Sequence, residues 1–253
     1  GKPGVAYVIT GPGLCNTMTP LGQAYSDSVP VLAISSCLDE TSAKRGQLHQ
    51  MLDQEAAAAT VCEWSYEARS ASAAYQLIDR AFTEFASARP RPKHIQVPIA
   101  LAGEMAKGAA AALPKSAKPQ ASQALLYEAV AMILRAEKPI FVFGGGAVAG
   151  ADVVGDLLRM TGAASFTTYA GRGIVPSEAP LHFGSTLARA DTADVFAQSD
   201  LVVVVASELS EVDLWRDDLG HDCPMIRVDL DASILAQGRA GDLLLLGDAE
   251  SFR

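Results

Sequence analysis

Short β-branched runs alternate with stretches of helical period along almost the whole chain, and that alternation admits few folds. "VAYVI" (5–9), "VLAIS" (31–35) and "HIQV" (94–97) read as apolar, β-branched strands bounded by Gly, Pro or Ser. Between them, residues 14–27 carry Leu14, Met18, Leu21 and Tyr25 at helical spacing. Residues 71–88 carry Ala74, Leu77, Ile78, Ala81, Phe82 and Phe85 as a 3.6-residue stripe. Unbroken apolar strands separated by helices pack as a parallel sheet covered on both faces. The pattern fails over 103–120, where "GEMAKGAAAALPKSAKPQ" has no firm period and reads as a linker, with a domain boundary near residue 118.

A second alternation follows. A helix is predicted over about 121–136, a strand at "PIFVFGGG" (139–146) ending in glycines, and a helix over 151–161 with Val153, Val154, Leu157 and Leu158 on one face. Strands follow at "ASFTTY" (164–169), "DLVVVVAS" (200–207), "MIRVDLD" (225–231) and "LLLLGDA" (243–249), with a short helix at 191–198. The expected fold class is α/β, with two doubly wound parallel-sheet domains: residues 1–102, a linker over 103–120, and residues 121–253.

Charge narrows the partners. With 29 acidic against 20 basic residues the formal net charge is −9, which argues against a nucleic-acid surface. An anionic ligand would need local backbone donors or a metal. No apolar run reaches membrane-spanning length. Cys15, Cys37, Cys62 and Cys223 show no C-x-x-C pairing and read as buried free thiols of a reducing compartment, hence a cytoplasmic protein. "GKPGVAYVIT" has no signal-peptide layout and opens almost directly on a strand, as a chain cut within a domain would.

Three stretches invite chemistry. Gly144, Gly145 and Gly146 follow a strand, and "GGGAVA" fits G-x-G-x-x-A, a turn able to face a pyrophosphate. The next strand ends "TTYAGRG", without the acid that a ribose needs, so a ligand-free tight turn is the simpler expectation. Gly11-Pro12-Gly13 ends the first strand; glycine permits positive φ and close backbone approach, and Pro12 biases Gly11 away from the helical region. Asn16 falls in the first turn of the next helix, where its amide either caps backbone groups or meets a ligand. "KRGQLHQMLDQ" (44–54) offers Arg45, His49, Gln50, Asp53 and Gln54 on a polar loop of the kind that carries ligand contacts in α/β proteins. His94, His182 and His221 are scattered, and no metal-ligand spacing links them.

Taken in order, these segments resemble a known family. "GKPGVAYVITGPGLCNTMTPLGQAYSDSVPVLAISS" and "RPRPKHIQVPIAL" resemble the pyrimidine-binding domain of thiamine-diphosphate-dependent enzymes of the acetolactate synthase type. "KPIFVFGGGAV", "GRGIVPSEAPLHFGS", "SDLVVVVASEL" and "IRVDLD" resemble the same family's central domain. "RGQLHQMLDQ" and "ASELSEVDLW" are most similar to a branch that decarboxylates guanidino-substituted 2-oxo acids. Leu48-His49-Gln50 stands where acetolactate synthases have Phe-Gln-Glu.

The resemblance implies thiamine diphosphate with Mg²⁺, a 2-oxo acid substrate, and a homodimer or homotetramer. Gly11, Pro12, Gly13 and Asn16 would lie near the cofactor's aminopyrimidine at a subunit interface, and His49 and Gln50 would line the substrate side. Family members that bind FAD use an arginine where this chain has Leu77, so FAD is not expected, and the 144–146 turn would be a relic of a nucleotide site. The family's activating glutamate would lie before Gly1, and the diphosphate- and Mg²⁺-binding domain beyond Phe252. No catalytic residue and no metal ligand is therefore expected within these residues. The 253-residue chain is expected to be inactive alone and to expose a sheet edge and apolar surface. An acidic side chain would meet a guanidinium, with Asp53, Glu208, Glu211 and Asp213 as candidates. The alternatives are an acetolactate-forming carboligase and a non-catalytic nucleotide-binding module built on residues 121–253.

Overall fold

The computed structural model describes residues 2–39, 45–109, 113–114 and 116–252. Lys44 of the polar loop, residues 110–112 and 115 of the linker, and the terminal Gly1 and Arg253 lie outside the described residues. The backbone divides into two compact units, Gly1–Ala117 and Lys118–Arg253.

The first unit is built on a four-stranded parallel sheet of β1 (Gly4–Val8), β2 (Val31–Cys37), β3 (Trp64–Glu67) and β4 (Lys93–Pro98), in the order β1-β2-β4-β3. Its helices are α1 (Pro12–Ser26), α2 (Gln54–Ala59), α3 (Ala71–Ser87) and the short α4 (Ile99–Ala102). Alternate strand residues go to opposite faces. Leu32 and Ile95 pack with Trp64 against Ala81 and Phe85 of α3, while Ala33 packs on the other face with Leu21 of α1 and Cys62. Leu77 also packs against the α3 side of this core. Phe82, read from the sequence as part of the buried stripe, is 41% exposed because it lies at the margin of the α3 face. β1 and β3 are the edge strands, and Val5 and Tyr7 on β1 are more than half exposed.

"HIQV" reads as apolar, yet Lys93, His94 and Gln96 are all buried polar residues on a central strand. Each has partners that offset its desolvation. At the amino end of the strand, the Lys93 ammonium meets Glu63 at 2.5 Å and Glu84 at 3.3 Å and lies 4.7 Å from the Phe85 ring centroid. Glu84 also accepts from the Trp64 indole. His94 and Gln96 point to the opposite face of the sheet.

The second unit holds β5 (Pro139–Phe143), β6 (Ala164–Thr167), β7 (Leu201–Val205), β8 (Met225–Asp229) and β9 (Leu243–Leu246), all parallel, in the order β6-β5-β7-β8-β9. This is a doubly wound order whose switch point lies between β5 and β7. Phe141, Val203 and Val205 face α5 (Gln123–Arg135) and α6 (Ala151–Thr161). Ile140, Val142, Val202 and Val204 face Phe196 of α7 (Thr192–Phe196) and Leu214 of α8 (Glu211–Leu214). The short α9 (Ala232–Leu235) follows β8. On α6 only Val154 and Leu158 are buried; Val153 is turned toward solvent, because four consecutive-pair positions span more of a helix than one sheet contact covers. The sequence reading also passed over β3, α2, α8 and α9, which are all six residues or shorter.

Phe196 is fully buried and stacks on Phe166 with centroids 5.0 Å apart. Phe196→Ala is expected to lower the stability of the second unit by about 3–5 kcal/mol. Urea denaturation would show this as an earlier midpoint with an unchanged slope.

Candidate functional site

In parallel α/β sheets ligands meet the carboxyl ends of the strands. In the first unit that edge carries a buried network centred on Gln54, which follows the helix-capping Asp53 at the start of α2. The Gln54 Oε1 accepts from Thr10 Oγ1 at 3.0 Å and from the Gly11 N–H at 2.9 Å. Its Nε2 donates to Ser36 O at 2.9 Å, Ser35 Oγ at 3.0 Å and Gln96 Oε1 at 3.2 Å. Ser36 Oγ in turn accepts from the Thr10 N–H. Beyond Ser35, its hydroxyl lies 2.8 Å from His94 Nε2, and His94 Nδ1 lies 2.7 Å from Ser65 Oγ. In one arrangement Ser35 accepts from Gln54 and donates to Nε2, and Nδ1–H donates to Ser65. A neutral imidazole fits this, and burial pushes the His94 pKa down to about 4.

The same residues border a cavity of about 500 Å³. Thr10, Cys37, Gln54, Ser65 and Gln96 form its buried lining, and Leu38, Met51, Leu52, Ala56 and Ala59 its more accessible apolar part. Three carboxylates, Asp53, Glu55 and Glu67, also line it, and none of the described lining residues is basic. Glu67 accepts from Gln96 Nε2 and pairs with the exposed Arg69. The negative field is felt at Cys37, whose thiol is pushed up to about 12 by burial first and then by Glu67, Asp39 and Glu55.

The residues singled out in the sequence fall in distinct places. Gly11 has φ 65° and caps α1 without a side-chain bond, and a Cβ there would sit 2.2 Å from the His49 carbonyl oxygen. The chain's own 47–50 segment thus fills the space a side chain would need, and the φ of 65° is one that glycine adopts freely. Gly13 lies against Ile9, with a Cβ position 2.8 Å from its Cγ2. Pro12 and Asn16 are exposed, and the Asn16 amide caps nothing among the described residues. His49 has φ 59°, and its Nδ1 is enclosed without a hydrogen-bond partner among the described residues. Gln50 turns its Oε1 toward the Gln47 N–H. Neither His49 nor Gln50 is among the residues bordering the cavity, which takes Met51 to Ala56 instead.

Of the four acids considered for a guanidinium, Asp53 alone borders this cavity. Glu208, Glu211 and Asp213 belong to the second unit, where Asp213 already accepts from the Tyr169 N–H and Ser210 Oγ. Cys15 is exposed on α1, so the buried-thiol reading holds for Cys37 and Cys62 but not for it.

At the switch point of the second sheet, glycines serve packing. A Cβ on Gly144 would lie 2.0 Å from Ala206 O, one on Gly145 2.9 Å from the Ala170 Cβ, and one on Gly146 2.8 Å from the Ala206 Cβ. The loops after β5, β6 and β7 interlock there, and the glycine turn runs into a 3-10 segment, Gly145–Gly150.

Comparison with known proteins decides the family. Residues 126–252 match the profile described as "Thiamine pyrophosphate enzyme, central domain", and residues 1–57 the profile described as "Thiamine pyrophosphate enzyme, N-terminal TPP binding domain". The chain belongs to the thiamine pyrophosphate enzyme family. It is 38% identical over 253 residues to a Pseudomonas aeruginosa protein named "Probable 2-ketoarginine decarboxylase AruI", covering 98% of this chain and 45% of that one. It is 26% identical over 266 residues to an acetolactate synthase of Mycobacterium bovis, covering 99% and 42%. The solved benzoylformate decarboxylase of Polynucleobacter necessarius superposes with a TM-score of 0.82 at 18% identity, covering 99% of this chain and 48% of that one, a likeness of fold. The chain spans about half the length of the curated relatives it matches.

Membership of a thiamine pyrophosphate family implies that cofactor. An exposed proline face beside an amide uncommitted among the described residues, at the start of α1, offers a flat contact and a hydrogen-bonding group to a heteroaromatic ring. Among the described residues no three His, Cys, Asp or Glu side chains are grouped to hold a metal ion. No helix there is long and apolar enough to cross a membrane.

The depressed His94 pKa has a pH signature. Between about pH 4 and 6.5 the unfolded chain binds a proton that the folded one refuses, so stability falls as pH drops through that window, by about 3 kcal/mol in all. Denaturation midpoints measured from pH 4 to pH 7 are expected to slope less steeply in His94→Gln than in the unsubstituted protein.

Proposed function

We propose that this chain is part of a thiamine-diphosphate-dependent enzyme that decarboxylates a 2-oxo acid carrying a guanidinium group. The observation that carries the substrate assignment is the sign of the charge around the cavity: Asp53, Glu55 and Glu67, with no basic side chain among the described lining residues. A guanidinium offers five N–H donors to such carboxylates, and the apolar side chains of Leu38, Met51 and Leu52 suit the methylenes between it and the oxo acid. The 38% identity to a protein named as a 2-ketoarginine decarboxylase supports the same substrate class. Thiamine diphosphate supplies the electron sink for loss of carbon dioxide.

In this reading the chain's own residues bind and orient. Pro12 and Asn16 meet the aminopyrimidine, and the turn at Gly11 and Gly13 sets their position. His49 and Gln50 lie on the substrate side, beside the cavity segment 51–56. Mg²⁺ and the diphosphate are held outside these residues, and a homodimer or homotetramer is the working assembly. The 26% identity to an acetolactate synthase keeps carboligation as the competing outcome.

The test uses the full-length protein that contains this chain, with thiamine diphosphate and Mg²⁺. Carbon dioxide release from 5-guanidino-2-oxopentanoate is expected to exceed that from pyruvate about a hundredfold or more in kcat/KM, and Asp53→Asn or Glu67→Gln to raise KM for the guanidino acid roughly tenfold. Acetolactate formation from pyruvate without turnover of the guanidino acid would overturn the assignment.

A further inference from the structure

We infer that Gln54 is a positioning residue that sets the spacing between the Gly11 turn and the 47–53 segment, and that the rate of the decarboxylation proposed above, on which this inference rests, depends on that spacing. Gln54 reaches three separate pieces of chain with one amide. Its oxygen takes the Thr10 hydroxyl and the Gly11 N–H. Its nitrogen gives to Ser36 O, Ser35 Oγ and Gln96 Oε1. The orientation is fixed by the partners, since a main-chain N–H only donates and the Ser36 carbonyl only accepts. The amide is also the first residue of α2, directly after the segment that carries His49 and Gln50. That segment already touches the turn, because the His49 carbonyl fills the space where Gly11 lacks a Cβ. The Cys15 thiol on α1 lies 3.9 Å from the Met51 sulfur, a second point at which the two pieces meet.

The consequence is mechanical. Gly11, with φ 65° and ψ −111°, leads into α1 and so sets where Pro12 and Asn16 stand. The same amide anchors the segment that leads to the cavity wall. Displacing one against the other by about an ångström is enough to cost roughly a hundredfold in rate. Gln54 touches the cavity carboxylates only indirectly, through Gln96 to Glu67, and Glu67 keeps Arg69 as a second partner, so substrate affinity is expected to change less than turnover.

Two variants of the full-length holoenzyme separate this role from a contribution to stability alone. Gln54→Met keeps the length and removes every hydrogen bond; kcat for the guanidino acid is expected to fall about a hundredfold with KM within roughly threefold. Gln54→Glu mimics the amide when its carboxyl is protonated, accepting from Gly11 and donating to Ser36 O. When ionised it sets a negative oxygen against Ser36 O and Gln96 Oε1. Its kcat is therefore expected to approach that of the unsubstituted enzyme at low pH and to fall as pH rises, a limb that the unsubstituted enzyme lacks at that position. Hydrogen–deuterium exchange of the peptide covering 9–14 gives a readout independent of any substrate: Gln54→Met is expected to raise its exchange at least about tenfold while β7 stays unchanged. Unaltered exchange at 9–14 in a folded Gln54→Met protein would overturn the inference whether or not the guanidino acid is turned over. So would unsubstituted kcat in Gln54→Met, or losses in both variants that only follow a lowered melting temperature. Absence of turnover by the unsubstituted holoenzyme with normal exchange protection at 9–14 would instead count against the proposed function.

Discussion

The carboxyl edge of the first sheet depends on one buried amide. Where parallel strands end, their last N–H and C=O groups lose ladder partners, and a buried group left unsatisfied costs about 1–3 kcal/mol. Gln54 meets this need for Gly11 N–H, Thr10 Oγ1 and Ser36 O at once. Through Ser35 it also holds His94 in a neutral tautomer between two hydroxyls. The Thr10–Gly11 turn and the carboxyl halves of β2 and β4 are thereby tied together at one edge, and both the cavity and the exposed Pro12–Asn16 stretch adjoin it.

The two units use glycine alike and differ in what lies beside it. Gly11 accommodates the His49 carbonyl, and Gly144 accommodates that of Ala206. In each case the missing Cβ is explained by a contact within the chain. At the second switch point the three loops fill the crevice, so the G-x-G-x-x-A pattern there is accounted for by packing. At the first edge, the turn leaves an acidic cavity and an amide uncommitted among the described residues. A glycine motif therefore does not separate a ligand site from a tight crossing; the polar groups around it do.

This division explains what could be read from the sequence. The strands of the second unit, such as "LVVVV", announce themselves because a strand buried on both faces is apolar throughout. The helices α1, α3, α5 and α6 show their period because each is eleven residues or longer. The element β3 escaped because "WSYE" mixes a buried serine and a half-buried acid whose partners are far away in sequence. The site was legible only in outline. Gly11, Pro12, Gly13, Asn16 and the 44–54 loop stood out through local chemistry and family likeness. Gln54 was one polar residue among several on that loop, and His94 looked isolated, because their partners lie 18 to 59 residues away. The local signal was polar residues at alternate positions of a strand: His94 and Gln96 lie on one face of β4, where stable burial is a hydrogen-bonded one.

Charge gives the proposed chemistry a direction. A guanidino-substituted 2-oxo acid is cationic at one end and anionic at the other. At an effective dielectric of about 20, a unit charge 4 Å from a like charge is disfavoured by about 4 kcal/mol. In the proposed reaction, the wall formed by Asp53, Glu55 and Glu67 would therefore favour the guanidinium end and disfavour the carboxylate. Arg69 only partly offsets this, since its side chain is 85% exposed and its pairing with Glu67 is screened by water. In the proposed reaction, the substrate's carboxylate and reacting carbonyl would then point away from this wall, which would leave the bond-breaking end to the cofactor.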